Sequence, residues 1–342
     1  MRAAIFREAG QPLAIDTVAD PTPGSDQIVI AVSSAGICGS DLHMTQKAGF
    51  CAPGTILGHE YAGTVVALGR EARGLWKEGD RVTALPLFAC RSCDACRADL
   101  PALCPSGQFA GTTLTAPGAY AQFVVARASM TQRLPDGISD AEGAMVEPLA
   151  VGHHIVGRAG LRPDDRVLVT GGGPIGAAVV LFARMAGARQ VVVSEPAPVR
   201  RERCTLLGAT GAIDPLTENL GERFTALTGG VPDVIFECAG LPDMLHQCVS
   251  LAGIRGRVIV GGVLFEQDHL SPVIALGKEV SIHYSQAYNE RDFEAVISAL
   301  ARGDIDARPL HTATISLDEL PATFEALRSD PTQCKVLIAP NG

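Results

Sequence analysis

Residues 166–186 read RVLVTGGGPIGAAVVLFARMA, and this stretch decides the fold. Arg166–Thr170 is a continuously apolar run of strand length, and Ile175–Ala186 has the length and composition of a helix. Between them Gly171-Gly172-Gly173-Pro174-Ile175-Gly176 fits G-x-G-x-x-G. The pattern alone is weak; between a strand and a helix it is in the context where glycines allow a tight turn and close backbone approach. The helix N-terminus then favours a pyrophosphate, and Pro174 suits a first-turn position, where its missing N–H is not needed. The same glycines and proline break the apolar run Val167–Ala183. A buried strand, turn and helix therefore explain it better than a membrane span.

Downstream the alternation continues. Gln190–Ser194 is a second apolar strand, followed by Pro198–Leu207, Ala212–Asp214, Thr217–Thr228, Asp233–Cys238, Arg257–Gly261 and Val280–Tyr284. Apolar strands alternating with helices imply a parallel sheet covered on both faces. Glu195 closes the second strand, where an acidic side chain accepts from a ribose 2′-OH and repels a 2′-phosphate. This favours NAD over NADP; Arg200 and Arg201, just beyond, are the opposing signal, with solvated or adenosine-side positions as their other reading. Gly261-Gly262-Val263 ends a strand at the sheet's carboxyl edge, where a nicotinamide is expected.

Upstream the texture differs. The first 130 or so residues read as short strands separated by glycine and proline, among them Gln27–Ala35, Tyr61–Leu68, Asp80–Ala84 and Ala119–Ala126, after a first strand in MRAAIFREAG. Ser139–Ala159 turns helical, with Ser139 as N-cap and Glu142 three places on. Phe293–Ala301 and Leu317–Leu327 read as helices and Lys335–Ala339 as a last strand. The expected domains are 1–149, 150–285 and a return over 286–342.

The chain has 342 residues, 47% of them hydrophobic and 19% charged, with a formal net charge of −9. That length suits two domains, and the acidity argues against a nucleic-acid or anionic-membrane partner. The N-terminus carries no signal-peptide pattern, so the expected location is cytoplasmic. Ten cysteines in such a chain point to metal or catalysis rather than a disulfide framework.

Four of them, Cys90, Cys93, Cys96 and Cys104, form C-x2-C-x2-C-x7-C. Four thiolates closing one tetrahedral shell make a structural zinc site, with an iron–sulfur cluster as the rival metal reading. Elsewhere stand Cys38-Gly39-Ser40-Asp41-Leu42-His43, Gly58-His59-Glu60 and Val146-Glu147-Pro148. A thiolate, an imidazole and two carboxylates from separate loops suit an open catalytic zinc.

Taken in order, the CGSD-x-H run, the GHE motif, the cysteine lobe and the glycine turn resemble the zinc-dependent medium-chain dehydrogenase/reductase family, in its alcohol, sorbitol and butanediol dehydrogenase branch. The resemblance spans essentially the whole chain. It implies an α/β fold: a Rossmann-type parallel-sheet nucleotide domain plus a β-rich, GroES-like catalytic domain with a structural zinc lobe, the active site lying between them. It implies Cys38 and His59 as catalytic-zinc ligands, with Glu60 a ligand in some states and Glu147 either binding zinc or holding its water. Asp41 is expected to orient His59, its other reading being a turn cap. Ser40 and His43 are expected to relay the proton outwards, His43 otherwise being a surface histidine. Lys335 is expected at the pyrophosphate or, equally, at a strand edge. Tyr284 stands where relatives commonly carry a small residue, and Leu87, Phe88, Phe109 and Tyr120 are candidate pocket or core residues.

The activity implied is oxidation of a secondary alcohol or polyol with NAD, one zinc catalytic and one structural in each chain. A zinc-free NADPH-dependent alkene or quinone reductase and a non-catalytic nucleotide-binding protein are the alternatives. A homo-oligomer, dimer or tetramer, is expected, joined through the nucleotide domains.

Overall fold

Strand Gln27–Gly36 buries seven of its ten residues and organises the first half of the protein. The computed structural model describes residues 1–342 throughout. By contacts the chain forms two units: Met1–Glu147 with Tyr288–Gly303 and His311–Gly342, and Pro148–Ala287 with Asp304–Leu310.

In the first unit Gln27–Gly36 lies in a seven-stranded sheet, paired antiparallel with Glu60–Leu68, Phe123–Arg127 and Lys335–Ala339. Arg81–Ala84 and Thr131–Arg133 extend the sheet on one side and His311–Ser316 on the other. Branched and aromatic residues such as Ile28, Ile30, Tyr61, Val65, Val124, Phe324 and Ile338 fill its core. Each such buried side chain contributes about 1.5–3 kcal/mol.

The second unit is a six-stranded parallel sheet. Its strands lie in the order Gly211–Ile213, Gln190–Ser194, Arg166–Thr170, Val234–Glu237, Arg257–Val260 and Ser281–Tyr284. This is the 3-2-1-4-5-6 order of the dinucleotide-binding Rossmann fold, with the strand before the glycine turn central. Leu168, Val192, Ile213, Phe224, Ile235 and Val258 pack into one core cluster against its helices.

Most expected elements are present, with shifted ends. The glycine-turn helix runs Pro174–Met185. Asp140–Ala159 starts with the expected capping box, since Ser139 Oγ accepts from Glu142 N at 3.2 Å and Glu142 accepts from Ser139 N at 2.9 Å. The helix expected from Thr217 begins instead at Leu220, because Asn219 is its N-cap. The helix expected over Phe293–Ala301 spans Glu290–Arg302, fixed by a capping box between Asn289 and Asp292. Helices Met244–Leu251 and Pro272–Lys278 and strand His311–Ser316 are additional. All three are short, and tertiary packing rather than local periodicity defines them.

Candidate active site

Sheet register brings the first-unit site together. Gly36 pairs with Glu60, and Leu337 with Gly36. The chain beyond Gly36, the residues before Tyr61 and the start of the last strand therefore meet at one end of the sheet. Cys38, His59 and Glu60 offer ligand atoms that all lie within 4.8 Å of one another. Only glycine fits at 36, since a Cβ there would sit 2.0 Å from Glu60 Oε2. Gly58 has φ +96° and faces the Tyr120 ring, where a Cβ would approach to 2.4 Å.

His59 Nδ1 lies 3.5 Å from Asp41 Oδ1, and neither atom has another hydrogen-bond partner. Burial pushes the imidazolium pKa down, but the charges of Asp41 and Cys38 outweigh it and leave the pKa well above the ordinary value. Asp41, fully buried, accepts a 2.5 Å hydrogen bond from the Tyr120 hydroxyl on its other oxygen. Tyr120, one of the candidate pocket residues, is thus a buried core group holding Asp41, as Leu87 is a plain core residue. Ser40 and His43 share the short helix Gly39–Met44, three residues apart and so on one face. Ser40 Oγ donates to Cys38 Sγ at 3.2 Å, and His43 is exposed.

Lys335, with its two readings at the pyrophosphate or at a strand edge, lies on the last strand. Its ammonium is buried and donates to Glu60 Oε1 and Oε2 at 2.6 and 2.7 Å and to Ile37 O at 3.0 Å. All three donors are thus used within the first unit. Burial lowers the Lys335 pKa, but Glu60 raises it further, so the lysine stays charged.

Glu147 stands apart from the mutual-reach trio. It is buried and accepts from the Tyr288 hydroxyl at 2.7 Å through Oε1. Burial, opposed by His59 and reinforced by Glu60, pushes its carboxyl up to about 7. Tyr288 lies in the segment that sequence reading flagged only for Tyr284; a lone tyrosine before a helix carries no local signal of a carboxylate partner.

The donor set fits a cation. A thiol, an imidazole and two carboxylates converge there, and burying such polar groups without partners is unfavourable. Residues Cys38, His59, Glu60 and Glu147 match the borderline-soft ligands that zinc takes.

The lobe fits as well. Cys90, Cys93, Cys96 and Cys104 place their sulfurs within 4.8 Å of one another, and none is in a disulfide. Backbone N–H groups of Ser92 and Cys93 donate to Cys90 Sγ, and that of Cys90 to Cys104 Sγ. Ser92 N–H, the Ser92 hydroxyl and Cys93 N–H lower the Cys90 thiol to about 5, whereas burial raises Cys96 to about 12. Four thiolates so close need a cation to coexist.

In the second unit Gly171 has φ +89°, and a Cβ on Gly176 would lie 1.8 Å from Gly171 O, so both positions demand glycine. Gly173 precedes the helix, and Pro174 and Ile175 form its first turn. Glu195, buried at the end of its strand, accepts from Gly172 N at 2.8 Å and Ala197 N at 2.9 Å. Arg201 donates to the carbonyls of Glu195 and Pro196, both at 2.7 Å, and Arg200 is half-buried. Val263 and Tyr284 line a cavity of about 370 Å³ at the carboxyl edge, with Glu237 and Ser285. Glu237 there accepts from Ala239 N and Gly240 N, both at 2.8 Å.

A Rossmann sheet, a closed four-cysteine lobe and an open thiolate–imidazole–carboxylate cluster define a metal-dependent dehydrogenase. The alcohol dehydrogenase GroES-like domain matches residues 24–136, and the zinc-binding dehydrogenase family matches residues 174–302. The chain belongs to the zinc-dependent medium-chain alcohol and polyol dehydrogenases. It is 31% identical to 2-dehydro-3-deoxy-L-galactonate 5-dehydrogenase of Pseudoalteromonas atlantica over 93% of each chain. It is also 31% identical to sorbitol dehydrogenase of Bacillus subtilis, over 100% of this chain and 98% of that one. Among solved structures, 2R,3R-butanediol dehydrogenase from Bacillus subtilis superposes with a TM-score of 0.89 at 30% identity, covering 99% of both. No helix is long and apolar enough to cross a membrane.

Proposed function

We propose that the protein oxidises a secondary alcohol bearing a neighbouring hydroxyl, in the vicinal-diol or sugar-alcohol class, with NAD as hydride acceptor. The observation that carries this reading is the buried meeting of Cys38, His59 and Glu60, with Glu147 beside them. Sorbitol and butanediol in the relatives' names supply the substrate class.

Cys38, His59 and Glu60 would hold the catalytic zinc, and Cys90, Cys93, Cys96 and Cys104 the structural one. Zinc in the first position lowers the pKa of an alcohol hydroxyl so that it ionises near neutral pH. Asp41 takes the Nδ1 side of His59, leaving Nε2 for the metal and fixing the tautomer. Ser40, next to Cys38 Sγ, receives the substrate proton, and exposed His43 on the same helix face passes it to solvent. Glu147 keeps Oε2 for the substrate hydroxyl or water, its Oε1 being taken by Tyr288. Gly171, Gly173, Pro174, Ile175 and Gly176 cradle the pyrophosphate, and Val263 lies on the nicotinamide side.

NAD is favoured over NADP because Glu195 sets a buried negative charge beside the glycine turn, while Arg201 spends donors on backbone carbonyls. A homo-oligomer is favoured by the open edge strand Ser281–Tyr284, flanked by exposed Phe265, Val273, Leu276 and Tyr284. A cytoplasmic location accords with ten cysteines that form no disulfide.

The test is NAD reduction by purified protein across primary alcohols, secondary alcohols, vicinal diols and sugar alcohols, repeated with NADP and after chelation. The expected result is turnover with diols or sugar alcohols that chelation abolishes. Turnover that survives complete zinc removal would overturn the reading.

A further inference from the structure

We propose that Tyr288 is a positioning residue, whose hydroxyl fixes the rotation of the Glu147 carboxylate so that one oxygen alone is presented to the metal site. The proposal rests on the zinc-dehydrogenase reading above and extends it to a residue outside the ligand set.

Three observations carry it. The first is the contact: Tyr288 is 1% exposed, and its hydroxyl reaches Glu147 Oε1 at 2.7 Å across 141 residues of chain. A buried carboxylate must have its lone pairs satisfied, and a phenol proton given to one oxygen distinguishes it from the other. The second is rigidity. The Tyr288 ring packs on Phe293 at a centroid distance of 4.9 Å, and the Asn289–Asp292 capping box pins the next residues at the start of helix Glu290–Arg302. The third is strain. Ala287, immediately before Tyr288, has φ +49°, a left-handed conformation that L-residues other than glycine rarely adopt. Such strain persists only where the surroundings over-determine it.

With the hydroxyl in place Oε1 is occupied and Oε2 is the free oxygen. Without it, the carboxylate gains rotational freedom and can present both oxygens. A ligand-orienting contact of this kind is worth about 10- to 100-fold in activity or metal affinity.

The experiment compares wild type with Tyr288→Phe, Glu147→Gln and the double variant, all with zinc exchanged for cobalt. Three quantities are read: visible absorption, melting temperature, and kcat and KM on the best alcohol from the panel. Phe293→Leu, which loosens the ring's packing and keeps the hydroxyl, is the structural control. Tyr288→Phe is expected to keep the wild-type melting temperature within a few degrees, to shift the cobalt bands, and to lower kcat about 10-fold or more. The double variant is expected to match Glu147→Gln within about twofold, because the two groups act as one unit. Unchanged cobalt bands in Tyr288→Phe, losses that multiply in the double variant, or a fall in the Tyr288→Phe melting temperature as large as that of Phe293→Leu would each overturn the proposal. Wild type lacking chelator-sensitive turnover would overturn the dehydrogenase reading and this inference together; normal wild type with a silent Tyr288→Phe overturns the inference alone.

Discussion

Glu195 carries the most direct prediction at the scale of single residues. Glu195→Gln keeps a hydrogen-bond acceptor for one of the two backbone N–H groups that the carboxylate now satisfies and removes its charge. The ratio of kcat/KM for NADP to that for NAD is expected to rise about tenfold, the equivalent of about 1.4 kcal/mol. An unchanged ratio would remove Glu195 from cofactor selection. Lys335 gives a second prediction. In chelator-treated protein, Lys335→Met leaves Glu60 as a buried, unpaired carboxylate, which is destabilising by about 3–5 kcal/mol. Glu60→Gln in the same chain should recover most of that loss in thermal or denaturant unfolding. The sequence makes Glu60 visible through its GHE setting, yet hides its partner, because the pair is 275 residues apart.

Individual elements show why local reading succeeds in some places and fails in others. The glycine turn and the capping box at Ser139 were legible because every group they need lies within a few residues. The lobe was legible for the same reason, its four sulfurs coming from a single loop. Cys93→Ser is accordingly expected to lose the lobe's zinc while the metal of Cys38 and His59 remains. Metal analysis showing loss of both would mean that the lobe does not hold its ion independently. The strand Gln27–Gly36 gives the converse case. Gly36 looks like an ordinary small residue in the sequence, but the register places it against Glu60. Gly36→Ala sets a methyl group 2.0 Å from Glu60 Oε2, so bound zinc and melting temperature are both expected to fall. Full metal content in that variant would show that Glu60 can move without consequence.

For the molecule as a whole, the acid side of the stability curve follows from ion pairs at the base of the parallel sheet. Arg166 pairs with Asp233 at 2.8 Å, and that hydrogen-bonded guanidinium holds the Asp233 carboxyl below its usual range. Because the folded pKa is the lower one, the stabilisation is present in full above the unfolded value, near 4, and is lost as pH falls through the folded value. Asp233→Asn should lower stability by about 1 kcal/mol at pH 7, discounted for partial exposure, with the difference from wild type shrinking below pH 4. A difference independent of pH would assign the effect to packing instead. What the sequence by itself determined was most of what rests on near neighbours: strands and helices read from periodicity, the phosphate-cradling turn, the cysteine lobe and the candidate ligands of each motif. Only the tertiary structure decided which of those candidates meet and what holds them. Tyr120 reaches Asp41 across 79 residues, Tyr288 reaches Glu147 across 141, and Lys335 reaches Glu60 across 275. The reason is physical: a buried polar group takes its partner from whichever strand the sheet register lays beside it, and that register is a property of the whole sheet.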